Sequence, residues 1–313
     1  MALKNNYLTN ARKKKNDEFY TQYADIESEC LKFKDCFNGK YIYCPCDNSK
    51  SNFPKFFKDN FENFNIKGLV YSSIDDNTYQ YFKDGEEKFV EEKIDILSDK
   101  FDKMLNLVDI VVTNPPFSLF IDFLDKLVCS GKQFLIIGQQ NSISCKSVFA
   151  HLKDDGVSVD YGFKGIAGWF DVPEHYEDTA SSGEHREGKI RVSGVVWYTN
   201  MPIVNEKPFI NLKKSYYNED GTPKCDEYPF FDNFRSISGL DEDCINVNEV
   251  KNIPNDYYGY MGVPISFFGK YNPKQFELIQ LDHYGPLGNQ DNVVNGVQKY
   301  RRLYVRLKRT EQE

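Results

Sequence analysis

Val108-Asp109-Ile110-Val111-Val112-Thr113-Asn114-Pro115-Pro116-Phe117 is the stretch from which the rest of the chain can be read. The segment before Asn114 is apolar and rich in β-branched residues, so it reads as a buried strand. Two prolines stop it, because proline fixes φ and lacks the N–H that a ladder needs. The strand tip therefore carries an amide, two prolines and an aromatic ring. Asn114 and the peptide carbonyl of Pro115 can accept hydrogen bonds from a planar amine, while Phe117 covers its flat face. An aromatic amine is a poor nucleophile, since its lone pair is delocalised into the ring. Acceptors that favour the pyramidal nitrogen of the transition state act where binding energy speeds a reaction. The amine sheds its proton readily once methylated, so positioning dominates and no general base is required. Asn114, Pro115, Pro116 and Phe117 are the catalytic candidates, and methyl transfer to an exocyclic amine is the expected chemistry. These residues alone do not choose among amine substrates.

The flanking pattern alternates short apolar strands with helices. Ile26, Cys30, Phe33 and Phe37 recur at helical spacing, which predicts a helix over 22–37 with Thr21 as its N-cap. Strands are expected over 41–44, 68–72 and 133–137, and helices over 54–64, 101–107, 119–128 and 146–152. Residues 76–93 are polar and read as a hairpin or a surface excursion. Strands over 189–192 and 195–199 are expected to form an antiparallel hairpin about Ser193-Gly194. The fold class is thus α/β, a doubly wound, Rossmann-like sheet of the kind that binds S-adenosylmethionine, ending in an antiparallel hairpin. After about residue 200 the helical period fades and Pro and Tyr rise. This predicts a catalytic domain over 1–200 and a second, target-recognition region over 201–313. The polar stretch 173–188 reads as a flap or an ordinary surface loop.

The chain of 313 residues is 40% hydrophobic and 15% aromatic, enough for a sizeable core. Its net charge of −8 conceals two basic ends. Lys4, Arg12, Lys13, Lys14 and Lys15 open the chain, and Lys299, Arg301, Arg302, Arg306, Lys308 and Arg309 cluster near its close. With those 11 cations set aside, the remainder carries −19. An acidic body with basic ends suits a focused phosphate-binding face. Lys13, Lys14, Lys299, Arg301, Arg302 and Arg306 are the DNA-binding candidates. Tyr300, Leu303, Tyr304, Val305 and Leu307 interleave with the C-terminal cations, as on a strand with one wet face. No stretch is long and apolar enough for a membrane span, and the polar N-terminus is no secretory signal. The eight cysteines scatter without zinc spacing, so no metal and reduced thiols in a cytoplasmic compartment are expected.

A methyl donor of the S-adenosylmethionine type needs a strand–loop–helix that admits it and an acid for its ribose hydroxyls. Many such sites use a glycine-rich loop after the first strand. Here that loop is Cys44-Pro45-Cys46-Asp47-Asn48, which has no glycine. Asp47, Asp75 and Asn114 all fall at predicted strand ends, where ligands of such sheets lie. Asp75 is the candidate ribose acceptor and Asp95 the candidate adenine contact. Phe19, Tyr20 and Thr21 are placed at the methionine end of the donor, near a helix N-terminus.

The chain resembles the EcoRI-type adenine-specific DNA methyltransferases. The likeness is carried by Asp17-Glu18-Phe19-Tyr20-Thr21-Gln22-Tyr23, by the segment from Asp109 to Phe120, and by Val172-Pro173-Glu174-His175-Tyr176-Glu177. Met261-Gly262-Val263-Pro264-Ile265 and Asn272-Pro273-Lys274-Gln275-Phe276-Glu277-Leu278 extend it over nearly the whole chain. The resemblance implies methylation of adenine N6 in double-stranded DNA, S-adenosyl-L-methionine as donor, base flipping and a restriction–modification setting. It also implies that Cys44, Pro45 and Asp47 stand in for the glycine loop, with Asn114 to Phe117 as the catalytic loop. The segment between Asp76 and Asp95 matches the family poorly. A monomer is expected. Two alternatives use the same residues: a methyltransferase for an RNA base or a protein glutamine, and a DNA-binding module whose cofactor site has decayed.

Overall fold

The computed structural model describes residues 20–82, 86–160, 167–171, 185–186, 189–202, 207–282 and 292–309. The chain divides into two compact units, Met1–Ser142 with Ala150–Val204, and Ile143–Phe149 with Asn205–Glu313.

The strands in chain order are β1 (Tyr20–Thr21), β2 (Tyr41–Cys44), β3 (Gly68–Tyr71), β4 (Thr78–Tyr81), β5 (Glu87–Val90), β6 (Ile110–Thr113), β7 (Gln133–Gln139), β8 (Ser158–Asp160), β9 (Ala167–Asp171), β10 (His185–Arg186), β11 (Lys189–Ser193) and β12 (Val195–Thr199). The helices are α1 (Tyr23–Cys30), α2 (Asn52–Asp59), α3 (Asp99–Leu105), α4 (Phe120–Ser130) and α5 (Lys146–Asp154). An eight-stranded mixed sheet runs in the order β5-β4-β3-β2-β6-β7-β12-β8. Its centre, β3-β2-β6-β7, is parallel, and antiparallel strands flank it on both sides. The central strands read as unbroken apolar runs because helices cover both faces. Ile42, Leu69, Ile110, Val112, Leu135 and Ile137 pack in one core with Ile26 and Cys30 of α1 and Phe53, Phe56 and Phe57 of α2. The residues between them face the other way: Tyr43 meets Phe101 of α3 with ring centroids 5.9 Å apart, and Tyr198 of β12 meets Phe120 of α4 at 4.8 Å. This is the period-two alternation of a sheet filled on two sides.

Gly138 of β7 is part of that packing. A Cβ built there would lie 2.3 to 2.8 Å from three atoms of the Phe120 ring. Phe120 opens α4 directly after the Asn114–Leu119 turn. Gly138→Ala is therefore expected to lose about 1–3 kcal/mol through overpacking. It should lower the urea midpoint, and an unchanged midpoint would show that the ring yields freely.

Several expected elements are redrawn by long-range pairing. The expected helix over 22–37 is α1 followed by a 3₁₀ segment, Leu31–Phe37, and the chain kinks at Phe33 (φ −113°, ψ 17°). Thr21 is not its N-cap: Gln22 holds that place, and Thr21 lies in β1, paired with Phe170. The segment 76–93 forms the β4–β5 hairpin. The hairpin expected about Ser193-Gly194 does not form. β11 pairs with β9 in a separate four-stranded sheet ordered β1-β9-β11-β10, whereas β12 joins β7 and β8. Gly194 sits between them at φ +71°, a conformation that glycine adopts without strain and that turns the chain from one sheet to the other. Most of the stretch 173–188, and with it the expected flap, lies outside the described residues.

The second unit is built on α6 (Phe234–Ser238) and strands β13 (Cys244–Asn246), β14 (Tyr260–Pro264), β15 (Phe276–Leu281), β16 (Val293–Val294), β17 (Val297–Gln298) and β18 (Arg302–Leu307). Its main sheet is ordered β13-β14-β18-β15. Phe231, Phe234, Cys244, Val294 and Tyr304 form a core cluster. β16 and β17 form a hairpin whose turn residues Asn295 and Gly296 both have positive φ, 51° and 73°. That is the Asn-Gly signature of a tight hairpin turn. The wet face expected for β18 is absent. The strand is central in its sheet, and Arg302, Leu303, Tyr304, Val305 and Leu307 are all buried.

Candidate active site

Three parallel strand ends and the short β1 converge on a cavity of about 330 Å³ in the first unit. The β6 end contributes Asn114, Pro116, Ser118 and Leu119. The β2 end contributes Pro45, Cys46, Asp47 and Asn48, and the β3 end contributes Ser73, Ile74 and Asp75. Tyr20 and Thr21 of β1, the start of α2 and the segment Ile94-Asp95-Ile96 complete the lining. Crevices beyond the carboxyl ends of parallel strands are where open α/β sheets bind ligands. The volume falls within the usual range for small-molecule sites.

The glycine-free loop after β2 is held by named bonds. Asp47 N donates to the Ser72 carbonyl at 2.9 Å, tying the β2 end to the β3 end. Asn48 N donates to Ser51 Oγ at 3.1 Å, and Ser51 N donates to the Asn48 carbonyl at 3.0 Å. This turn delivers the chain into α2, whose Asn52 donates through Nδ2 to the Thr21 carbonyl at 2.8 Å. Thr113 Oγ1 donates to Asp47 Oδ2 at 2.7 Å, so the residue before Asn114 is locked to the β2 loop. Asp47 is 5% exposed. Burial pushes its carboxyl up to about 7, against the hydrogen bonds from Thr113 and Ser51, which pull it down. Asp95 uses Oδ1 to accept from Leu97 N at 2.8 Å in a turn before α3, and Asp75 is exposed at the cavity mouth.

Among the described residues, three acids and no lysine or arginine line the cavity. That balance disfavours an anionic ligand and suits one that brings hydroxyls or a positive charge. Thr21 Oγ1 is buried and meets no hydrogen-bond partner among the described residues. A buried hydroxyl without a partner costs free energy that a ligand in the adjoining cavity could recover. The apolar lining from Phe53, Ile74, Ile94, Ile96 and Leu119 gives such a ligand a dry surface.

The expected site residues divide as follows. Tyr20, Thr21, Pro45, Asp47, Asp75, Asp95, Asn114 and Pro116 share this one cavity. Cys44 does not line it; its side chain is fully buried in the sheet core. Pro115 is buried, and Phe117 is half-buried against that same core, neither being among the lining residues. Phe19, Lys13 and Lys14 lie outside the described residues. Of the C-terminal cations, Arg301 is exposed and Lys299 half-buried, and Arg306 stacks over Tyr260 at 4.3 Å and reaches Glu242 at 3.5 Å. Arg302 is 7% exposed, which no phosphate contact would permit. Its Nε donates to Asn246 Oδ1 at 3.2 Å and its Nη1 to the Tyr300 carbonyl at 3.1 Å.

Sequence reading missed Ser51, Asn52 and Phe53 at the start of α2, and Ile94 and Ile96. The first group could have been found from position, since a helix that follows a strand-end loop opens onto the crevice. The two isoleucines carry no local signal. Among the described residues no cluster of His, Cys, Asp and Glu is arranged to hold a metal ion, and no helix is long and apolar enough to cross a membrane.

Known proteins supply the remaining evidence. The family model described as "Adenine-specific methyltransferase EcoRI" matches residues 7–102 and 75–312. The Type II methyltransferase M.EcoRI of Escherichia coli is 37% identical over 98% of both chains. M.MgeORF184P of Mycoplasma genitalium is 33% identical over 96% of this chain and 98% of its own, and M.MpnI of Mycoplasma pneumoniae is 35% identical over 87% and 85%. No solved structure matches the chain significantly. A family match along almost the whole length, on a mixed α/β sheet whose strand-end cavity is lined by Asn114 and Pro116 of the β6 tip, makes this chain a member of the EcoRI-type adenine-specific methyltransferase family.

Proposed function

We infer that the protein methylates N6 of a flipped adenine in double-stranded DNA, as the modification enzyme of a restriction–modification system. One observation carries this reading: Asn114 and Pro116 share a single cavity with Thr21, Asp47, Asp75 and Asp95. S-adenosyl-L-methionine fits the acid-rich lining, and when bound it supplies an electrophilic methyl group. Asp75 and Asp95 would hold its ribose and adenine, the partnerless Thr21 hydroxyl would gain an acceptor or donor, and the start of α2 would face its carboxylate.

This chain's own residues then prepare the amine. Asn114 and the Pro115 carbonyl accept its N–H bonds and favour the pyramidal nitrogen. Phe117 stacks on the extruded base, whose release from the helix costs a few kcal/mol. The surplus amine proton leaves to solvent. The first unit is the catalytic part in this reading, and the second unit the target-recognition part. Lys299, Arg301 and Arg306 are its phosphate contacts, and Arg302 ties down the segment before β18 that bears the first two.

Transfer of labelled methyl to duplex DNA, to RNA and to protein tests the substrate class. Label in DNA as N6-methyladenine is expected; label only in RNA or protein would replace this reading. Neutralising Lys299, Arg301 and Arg306 should flatten the salt dependence of DNA binding by roughly 0.9 in log–log slope for each phosphate contact removed. An unchanged slope would remove these three cations from the footprint.

A further inference from the structure

We propose that Tyr300 is a base-stacking contact with duplex DNA, presented on a segment that the buried Arg302 locks in place. The inference rests on the function proposed above and adds a residue to it. Tyr300 is 91% exposed, the highest value among the large hydrophobic side chains of the described residues. Its backbone is anything but loose. Arg302 Nη1 donates to the Tyr300 carbonyl at 3.1 Å and to the Arg301 carbonyl at 3.4 Å. Arg302 N donates to Asp282 Oδ2 at 2.7 Å, and Lys299 N to the Asn292 carbonyl at 2.8 Å. Arg301 Nη1 reaches the Ser144 carbonyl at 3.1 Å.

Asp282 and Asn292 are themselves fixed in the interior. Asn292 Nδ2 donates to Asp282 Oδ2 at 2.8 Å, and Tyr304 OH donates to Asn292 Oδ1 at 2.5 Å. Burying a guanidinium is unfavourable unless its donors are satisfied, and here Nε is anchored on Asn246 while Nη1 holds the Tyr300 and Arg301 carbonyls. A tyrosine ring gains free energy when it packs, so leaving it in water on a rigid support forgoes that gain. The neighbours of the ring in sequence are the cations Lys299 and Arg301. Cations that take phosphates beside a ring that takes a base face are the composition with which proteins grip nucleic acid. An aromatic on a stiff backbone can also enter a base step that the protein has opened.

The test compares the full-length parent with Tyr300→Ala, Tyr300→Phe and Tyr300→Trp, using a duplex containing the methylated site. Tyr300 is exposed, so the variants should fold as the parent does. Tyr300→Ala is expected to weaken duplex binding about five- to a hundred-fold, the range for loss of one stacked base. The log–log salt slope should stay at the parent's value, because no charge is lost. Tyr300→Phe should bind as the parent. The added indole of Tyr300→Trp should be quenched on saturation with duplex, beyond any change in the parent's own two tryptophans. Parental affinity in Tyr300→Ala, or an indole blind to DNA, overturns the assignment of Tyr300 while leaving the methyltransferase reading intact. A parent that neither binds nor methylates duplex DNA overturns both.

Discussion

Asn114→Ala should keep the fold and the donor affinity while losing about 10²–10³ in kcat, the usual effect of deleting one preorganised partner of a developing charge. The reasoning is local. Asn114 is half-buried at the end of β6, so its truncation removes little packing. Thr113, which does tie the tip to Asp47, is untouched. The amide acceptor is used most when the amine nitrogen turns pyramidal, so the loss belongs in kcat rather than in KM. Single-turnover methylation and an equilibrium titration of donor separate the two. Near-normal turnover would refute the role, and loss of donor affinity alone would make Asn114 a binding residue.

Asp47→Asn should change how stability depends on pH. The parent carboxyl titrates near 7 in the folded protein, above the ordinary value of 3.8, because it is buried. A raised carboxyl favours the neutral form in the fold. Its burial therefore costs nothing below about pH 4, costs progressively more as pH rises towards 7, and costs most above 7. Asparagine keeps an oxygen for the Thr113 hydroxyl and never ionises. The variant should match the parent near pH 4 and exceed it by up to about 4 kcal/mol above pH 7, at roughly 1.4 kcal/mol per pKa unit. Denaturant midpoints across this range measure it. A difference that does not grow with pH would mean that Asp47 is solvated in the fold.

The parallel centre of the large sheet was legible because its strands are short apolar runs with nothing else to be. Ile110 to Thr113 and Phe134 to Ile137 are buried on both faces, and their composition says so. Most of the cavity was legible too, since Asp47, Asp75 and Asn114 follow such runs directly. What failed depended on distant partners. Thr21 looks like a helix cap from its neighbours, but Phe170, far along the chain, draws it into β1. Ser193-Gly194 looks like a hairpin turn, yet β11 pairs along its whole length with β9 and β12 with β7, both distant in sequence. Arg302 reads as a surface cation because local sequence cannot show that β18 lies between β14 and β15. Cys44 alternates with Tyr43 across the sheet, and its thiol falls on the core side rather than in the loop.

The methyl donor and the target amine are expected to meet in the cavity beneath the Asn114 tip. A crystal structure with the demethylated donor bound tests it most directly. Donor density is expected against Thr21, Asp47, Asp75 and Asp95, with its sulfur towards Asn114. Density at another place, with this cavity left to solvent, would contradict the account.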